Sequence, residues 1–174
     1  MPRMLVATAP GKAAIVEYRD RKIAANEVMV EVEFASPKHG SEIADFRGDS
    51  PLINERYDDD WKLLVPRSPD HGKGVEFGSW NLGNMWVGRI VIKGVDVKDY
   101  NVGERVCSYG GIRETQIVNA VGNHRLLRVP EAVSWKSAVC YDPAQFALSG
   151  IRDGNVRPGD HVAVIGLGAI GLLA

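Results

Sequence analysis

Apolar and polar residues alternate most regularly between residues 27 and 34. Val28, Val30, Val32 and Phe34 share one parity of this stretch, and Glu31 and Glu33 lie between them. A period of two is typical of a strand that buries one face. We therefore predict a half-buried strand here.

Shorter apolar runs predict further strands, and turn residues separate them. The predicted strands cover residues 4–7, 13–17, 85–93, 105–108, 114–119 and 126–129. Residues 36–48 are polar and punctuated by glycine, which favours a loop or a short helix. Residues 49–82 carry prolines, glycines and three consecutive aspartates without clear periodicity, and we predict a long surface excursion there.

The last forty residues change character and predict helices. Ser134 and Asp142 stand where helix N-caps are expected, and Pro143 would occupy the first position of the second helix. Gly154 suits the end of that helix. The apolar run 162–165 then predicts one more strand, of the buried type. If no neighbouring strand pairs with it, its edge is left unpaired.

A glycine fingerprint of the form G-x-G-x-x-G follows that run directly. Gly166 allows a tight turn, Gly168 lets the backbone approach a pyrophosphate, and Gly171 lets the next helix pack closely. That helix would direct N–H groups from Ala169 and Ile170 towards the phosphates. The pattern predicts a site for NAD or NADP. Three residues follow Gly171, so we expect the nucleotide-binding domain to be incomplete.

Composition excludes several classes of protein. The chain has 174 residues, a net charge of −1 and 45% hydrophobic residues, which is ordinary for a globular domain and gives no electrostatic basis for binding nucleic acid or a membrane surface. No apolar run approaches the ~20 residues of a membrane span, and the N-terminus does not resemble a signal peptide. Cys107 and Cys140 fit buried reduced thiols, and we expect a cytoplasmic protein.

The order of several motifs resembles the medium-chain dehydrogenase/reductase family, its zinc-type alcohol and polyol dehydrogenases in particular. The matching stretches are residues 39–42, 87–95, 102–106, 129–130, 142–143 and 158–171. The resemblance implies a GroES-like β-barrel as the catalytic domain over residues 1–155. It also implies the first β-turn-α of a truncated Rossmann domain over 156–174, and hence a fold that is mainly β with some α.

The resemblance also implies where a catalytic zinc would bind. His39 takes the place of the family's first ligand, a cysteine, and Asp142 takes the place of its third. The second motif aligns with Gly83-Asn84-Met85, where asparagine replaces histidine. Two candidate ligands remain of the three that catalytic zinc generally needs, and His71 completes the set only if the excursion folds inward. The family's structural-zinc lobe is absent.

Each candidate site residue also has an ordinary structural interpretation. His39 is a ligand or a substrate-contacting acid, or else a hydrogen-bonded loop histidine. Ser41 matches the hydroxyl that relays the alcohol proton in the family, or it bonds to backbone. Glu42 matches a carboxylate that orients a metal ligand, or it is solvated. Asp142 is a ligand or a helix N-cap.

Two functional hypotheses follow from the resemblance. The chain is a fragment or truncated form of an NAD(P)-dependent oxidoreductase that transfers a hydride between nicotinamide and a small alcohol, polyol, sugar or carbonyl compound, and it is inactive alone. Without zinc a reductase-like role is expected, and with zinc a sugar or polyol dehydrogenase. Alternatively, it is a degenerate stand-alone GroES-like module for binding or assembly. We expect a homo-oligomer, because association would cover the unpaired edge of the strand at 162–165.

Overall fold

Antiparallel β-sheets form most of the structure, a computed structural model that describes residues 1–72 and 74–174, with the side chain of Ser41 outside the described part. The strands are β1 (Arg3–Ala9), β2 (Lys12–Glu17), β3 (Glu27–Ser36), β4 (Glu55–Asp58), β5 (Leu63–Pro66), β6 (Trp80–Asn81), β7 (Met85–Lys93), β8 (Arg105–Tyr109), β9 (Thr115–Asn119) and β10 (Leu127–Arg128). The helices are α1 (His39–Arg47), α2 (Trp135–Ala138), α3 (Tyr141–Asp153) and α4 (Ala169–Leu173). The prediction of a mainly β fold with some α is confirmed.

The largest sheet contains five strands in the order β10-β8-β7-β3-β9, with every neighbouring pair antiparallel. A second sheet has the order β2-β1-β6, and β4 and β5 form a separate hairpin. The alternation that predicts β3 is confirmed for its first part, since Val28 and Val30 are fully buried while Glu31 and Glu33 are not. It is wrong at Phe34, which is exposed, because the pairing with β7 shifts register between Val32 and Phe34.

The core lies on both faces of β7, the middle strand of the five-stranded sheet. Trp86 and Ile90 belong to one buried cluster, together with Val28 and Val30 of β3. Met85 and Val87 point the other way, into a cluster with Val129, Ala138 and Val139. The second cluster packs α2 and the following residue, Val139, against the sheet, and α3 begins two residues later.

The excursion over residues 49–82 contains more regular structure than its sequence predicts. Two short 3-10 turns, Pro51–Ile53 and Pro69–His71, flank the β4–β5 hairpin, and β6 closes the segment by pairing with β1. The hairpin is missed because its apolar residues do not alternate: Leu63 and Leu64 are both largely exposed.

The strand predicted at Val162–Ile165 does not form a ladder within the described residues. These residues are exposed, and Ile165 is 99% accessible. A strand requires a hydrogen-bonded neighbour, and none of β1–β10 pairs with this segment. The helix expected after the fingerprint does form, as α4. None of the helices in the described part of the chain is long and apolar enough to span a membrane.

Candidate functional site

A cleft of about 570 Å³ separates the start of α1 and the start of α3 from the glycine fingerprint. One wall contains Lys38, His39, Asn84, Cys140, Asp142 and Pro143, and the other contains Val164, Ile165, Gly166, Gly168, Ala169, Ile170 and Gly171. Every residue of the predicted fingerprint set therefore lies along the same cleft as both candidate metal ligands.

Asp142 is the most deeply buried carboxylate of this cleft, with 3% of its surface exposed. Its Oδ1 accepts a hydrogen bond from the Tyr109 hydroxyl at 3.1 Å. Its Oδ2 accepts one from the Asn84 side-chain amide at 3.0 Å and lies 3.0 Å from Nζ of Lys38. The carboxylate is fully engaged, as buried charges must be.

The N-cap interpretation of Asp142 is wrong. Helix α3 begins at Tyr141 with Cys140 as its N-cap residue, so Asp142 lies within the first turn and faces inward. The three partners of its carboxylate hold it there, instead of backbone N–H groups of the helix. Pro143 remains within the first turn, where a missing N–H costs nothing. The Ser134 cap of α2 is confirmed, because its hydroxyl accepts a hydrogen bond from the Ser137 N–H.

Lys38 immediately precedes α1 and presents the only cation among the described residues that line this cleft. Besides its ion pair with Asp142, its ammonium lies 4.8 Å from the centre of the Phe146 ring. About a third of the side chain is exposed. A fixed positive charge therefore borders the cleft.

Tyr109 holds the Asp142 carboxylate through its hydroxyl group. Burial, and next its hydrogen bond to Asp142, raise the pKa of the Tyr109 phenol. The phenol consequently keeps its proton and remains a hydrogen-bond donor at neutral pH.

The three site residues predicted in α1 are His39, Ser41 and Glu42, and they differ in where the structure places them. His39 is exposed at the first position of α1 and lines the cleft. Glu42 does not reach it: its Oε2 accepts a hydrogen bond from the Lys38 N–H at 2.8 Å, and its Oε1 accepts one from the Gly83 N–H. Glu42 thus ties α1 to the segment before β7, and neither the solvated nor the metal-orienting interpretation describes these bonds. The side chain of Ser41 lies outside the described part.

The donor set around Asp142 does not fit a catalytic zinc. Among the described residues, no group of three or more His, Cys, Asp or Glu side chains is placed to hold a metal ion. The carboxylate that would ligate zinc is occupied by an ammonium and two neutral donors. His71 lies on the excursion, where its ring is hydrogen-bonded to Ser68.

The fingerprint glycines do fit a closely approaching ligand. Gly166 has φ +98, which disfavours other residues, and a Cβ at Gly168 would meet open space. A Cβ at Gly171 would lie 1.9 Å from the Gly166 carbonyl oxygen. The turn therefore closes only with glycine at position 171, while its outer side is free for a pyrophosphate.

A second cavity of about 370 Å³ also borders the Lys38–Asp142 pair. Polar and aromatic side chains line it, among them Tyr109, His124, Arg125, Gln145 and Phe146. The ion pair therefore borders two cavities, and the fingerprint lines one of them.

Sequence reasoning misses Lys38 and Tyr109. Lys38 carries a weak signal: it directly precedes the first motif, at residues 39–42, while the second motif has lost the family's donors at Asn84 and Met85. The loss of metal donors in one motif and a cation beside the other are compatible with an ion pair in place of a metal. Tyr109 gives no such signal, since β8 and the sheet bring it to Asp142 from 33 residues away.

Comparison with known proteins identifies close relatives. D-guloside 3-dehydrogenase of Escherichia coli (strain K12) is 57% identical over 172 residues, which cover 99% of this chain and 49% of that protein. An uncharacterized zinc-type alcohol dehydrogenase-like protein of Haemophilus influenzae is 24% identical over 95% of this chain and 49% of its own length. No protein-family profile matches the chain.

Solved structures share the fold. The crystal structure of 2R,3R-butanediol dehydrogenase from Bacillus subtilis superposes with a TM-score of 0.73 at 19% identity, over 99% of this chain and 53% of that one. The chain spans about half the length of the curated relatives it matches. The sequence resemblance is confirmed, because these relatives are named as a dehydrogenase and a zinc-type alcohol dehydrogenase-like protein and the solved structures share the fold.

Proposed function

We propose that this chain forms the substrate side and the first part of the cofactor side of an NAD(P)-dependent oxidoreductase that acts on a sugar or polyol. The observation that carries the proposal is the single cleft that has the fingerprint on one wall and the buried Asp142 network on the other. The name of the relative with 57% identity supports the substrate class and makes a D-guloside the first compound to test.

The residues of the cleft suit such a substrate. Lys38 and His39 present polar groups that can hydrogen-bond several hydroxyls. Asp142 holds Lys38 in place and is itself held by Asn84. Val139, Pro143, Val164 and Ile165 offer apolar surface against which a ring can pack and which excludes water. When bound, the nicotinamide supplies or accepts the hydride. Gly166, Gly168 and Gly171 would hold its pyrophosphate.

The proposal includes neither a zinc-dependent step nor a choice between NAD and NADP. The donor set around Asp142 argues against zinc. The sugar or polyol substrate, which the resemblance links to zinc, is therefore proposed on the name of the 57% identical relative alone. The acidic residue that favours NAD is expected about 20 residues beyond the fingerprint.

The test is an assay of the full-length protein that contains this chain. Oxidation of D-gulosides, other glycosides and polyols is followed by formation of reduced cofactor, with NAD and NADP in parallel. We expect turnover with at least one combination of substrate and cofactor. Absence of both cofactor binding and turnover across the panel would refute the proposal.

We also expect residues 1–174 alone to be inactive. A single turn and helix without partner strands provides too few contacts to hold a dinucleotide. The purified 174-residue polypeptide is assayed beside the full-length protein, with circular dichroism to establish that it is folded. Hydride transfer by the short polypeptide would contradict this expectation.

A further inference from the structure

We propose that Lys38 is a catalytic residue whose ammonium contacts the oxygen on the carbon that exchanges the hydride, with Asp142 as its positioning residue. This inference rests on the proposed function and names the group that polarises the substrate. It assigns to a lysine the task that the resemblance assigns to a metal.

The position of Lys38 is the first support. Its side chain lines both the cleft beside the fingerprint and the second cavity. A sugar that extends from one cavity towards the other would pass the ammonium. The fingerprint would hold the cofactor's pyrophosphate in this cleft, and the reacting carbon must lie beside the nicotinamide of the same cofactor.

The second support is how firmly the ammonium is held. Its anchor, Asp142, is itself fixed by Tyr109 on one oxygen and by Asn84 on the other. A lysine ammonium carries three N–H donors. Among the described residues its acceptor is the Asp142 carboxylate, so donors remain for a ligand in the cleft.

The third support is the chemistry of the site. During reduction the carbonyl carbon gains a hydride from the reduced nicotinamide, the electrons of the C=O π bond move to oxygen, and that oxygen takes a proton from solvent. Negative charge develops on the oxygen in the transition state, and a fixed cation stabilises it. Lys38 keeps its proton throughout. Oxidation follows the same steps in reverse.

The experiment compares variants of the full-length protein. Lys38→Met keeps the length of the side chain and removes the charge, and Lys38→Arg keeps the charge. We expect Lys38→Met to lower kcat by on the order of 10²- to 10³-fold, and Lys38→Arg to recover part of that loss. Lys98→Met is the matched control, because Lys98 donates only within an exposed turn, to the Val95 carbonyl. It should leave kcat unchanged.

A double variant separates catalysis from structure. Lys38→Met leaves the buried Asp142 carboxylate without its cation, which lowers the melting temperature whether or not Lys38 is catalytic. Lys38→Met combined with Asp142→Asn removes the unpaired charge and should restore much of the melting temperature. If Lys38 is catalytic, kcat stays low in the double variant. Recovery of kcat together with stability would overturn the proposal.

Two further measurements keep this inference distinct from the proposed function. Binding of the reduced cofactor, followed by its fluorescence, should be equal in wild type and Lys38→Met. A hydroxyl-bearing inhibitor should bind more weakly to Lys38→Met. Wild-type turnover with an unchanged Lys38→Met variant overturns only the inference, whereas no cofactor binding and no turnover in wild type overturns the proposed function.

Treatment with a chelator tests whether a metal ion, instead of Lys38, polarises the substrate. Wild-type activity should survive removal of divalent metal ions. Loss of activity on chelation and its return with zinc would overturn the assignment of Lys38 as the polarising group.

Discussion

At the scale of single residues, carboxylates hold the backbone around the cleft. Glu42 accepts hydrogen bonds from the N–H groups of Lys38 and Gly83, and Asp142 then holds the Lys38 side chain. The position of the ammonium therefore depends on two acids, one acting through the backbone and the other through the side chain.

Substitution Glu42→Ala should destabilise the protein by about 1–3 kcal/mol, because two part-buried N–H groups lose their acceptor. The free energy of unfolding measured with urea tests this. Glu131→Ala is the matched control, since Glu131 is 75% exposed and pairs with Arg89 at the surface, where the expected change is below about 0.5 kcal/mol. Equal effects of the two substitutions would contradict the role given to Glu42.

Another acid, Glu27, should make the stability of the protein depend on pH. Hydrogen bonds from Arg21, and next from the Ala24 N–H, lower the pKa of Glu27 from 4.5 to about 2. A lowered pKa in the folded state contributes stability above the ordinary pKa, and this contribution is lost as the pH falls from about 4.5 to about 2. Thermal melting at a series of pH values should show a smaller decrease over this window for Glu27→Gln than for wild type. Identical slopes would argue against the Arg21–Glu27 pair.

At the scale of elements, the accuracy of the sequence predictions depends on whether the signal is local. Strand β3 is predictable because its buried and exposed sides alternate along the chain, and α2 because Ser134 caps it. The β4–β5 hairpin escapes prediction because its apolar residues do not alternate. Residues 162–165 have the composition of a buried strand, yet a ladder depends on a neighbour that no local pattern supplies.

The same limit applies to the candidate site. The fingerprint can be recognised from the sequence because the spacing of its glycines is a local pattern and each glycine meets a steric requirement of the turn. The partners of Asp142 come from Lys38, Asn84 and Tyr109, separated by up to about a hundred residues, and only the folded sheets bring them together. Sequence identifies Asp142 as a candidate without indicating its surroundings.

The turn before α4 carries a prediction of its own. Gly171→Ala should weaken NAD(P) binding by the full-length protein, because the added methyl group would collide with the Gly166 carbonyl and open the turn. Isothermal titration calorimetry with both cofactors measures the effect. Gly150→Ala is the matched control, since its Cβ would meet open space on the exposed side of α3. If both variants bind with the same affinity as wild type, the turn does not hold the dinucleotide.

At the scale of the whole molecule, apolar surface is concentrated near the fingerprint. Val162 is 57% exposed, Leu167 77% and Ile165 99%. Apolar residues grouped in this way favour association. This supports the expected homo-oligomer, which remains a prediction, as do the domain boundary at residues 155–156 and the cytoplasmic location.

We expect the 174-residue polypeptide to self-associate through this segment. Sedimentation velocity at increasing concentration should reveal species larger than the monomer, and Ile165→Asp should shift the population towards the monomer. Val95→Asp serves as the control, because Val95 is 77% exposed but lies on a turn away from the fingerprint. A monomer at all concentrations would contradict the expectation.

The two cysteines differ in a way that has a practical consequence. Cys107 is buried in the core beside β7, and burial raises the pKa of its thiol, so it reacts slowly with alkylating reagents. The predicted burial is wrong for Cys140, which is exposed at the N-cap of α3 and lines the cleft. A thiol-directed fluorophore should therefore label this protein at a single position beside the fingerprint. The folded protein thus offers an optical probe of cleft occupancy that needs no turnover and no engineered cysteine.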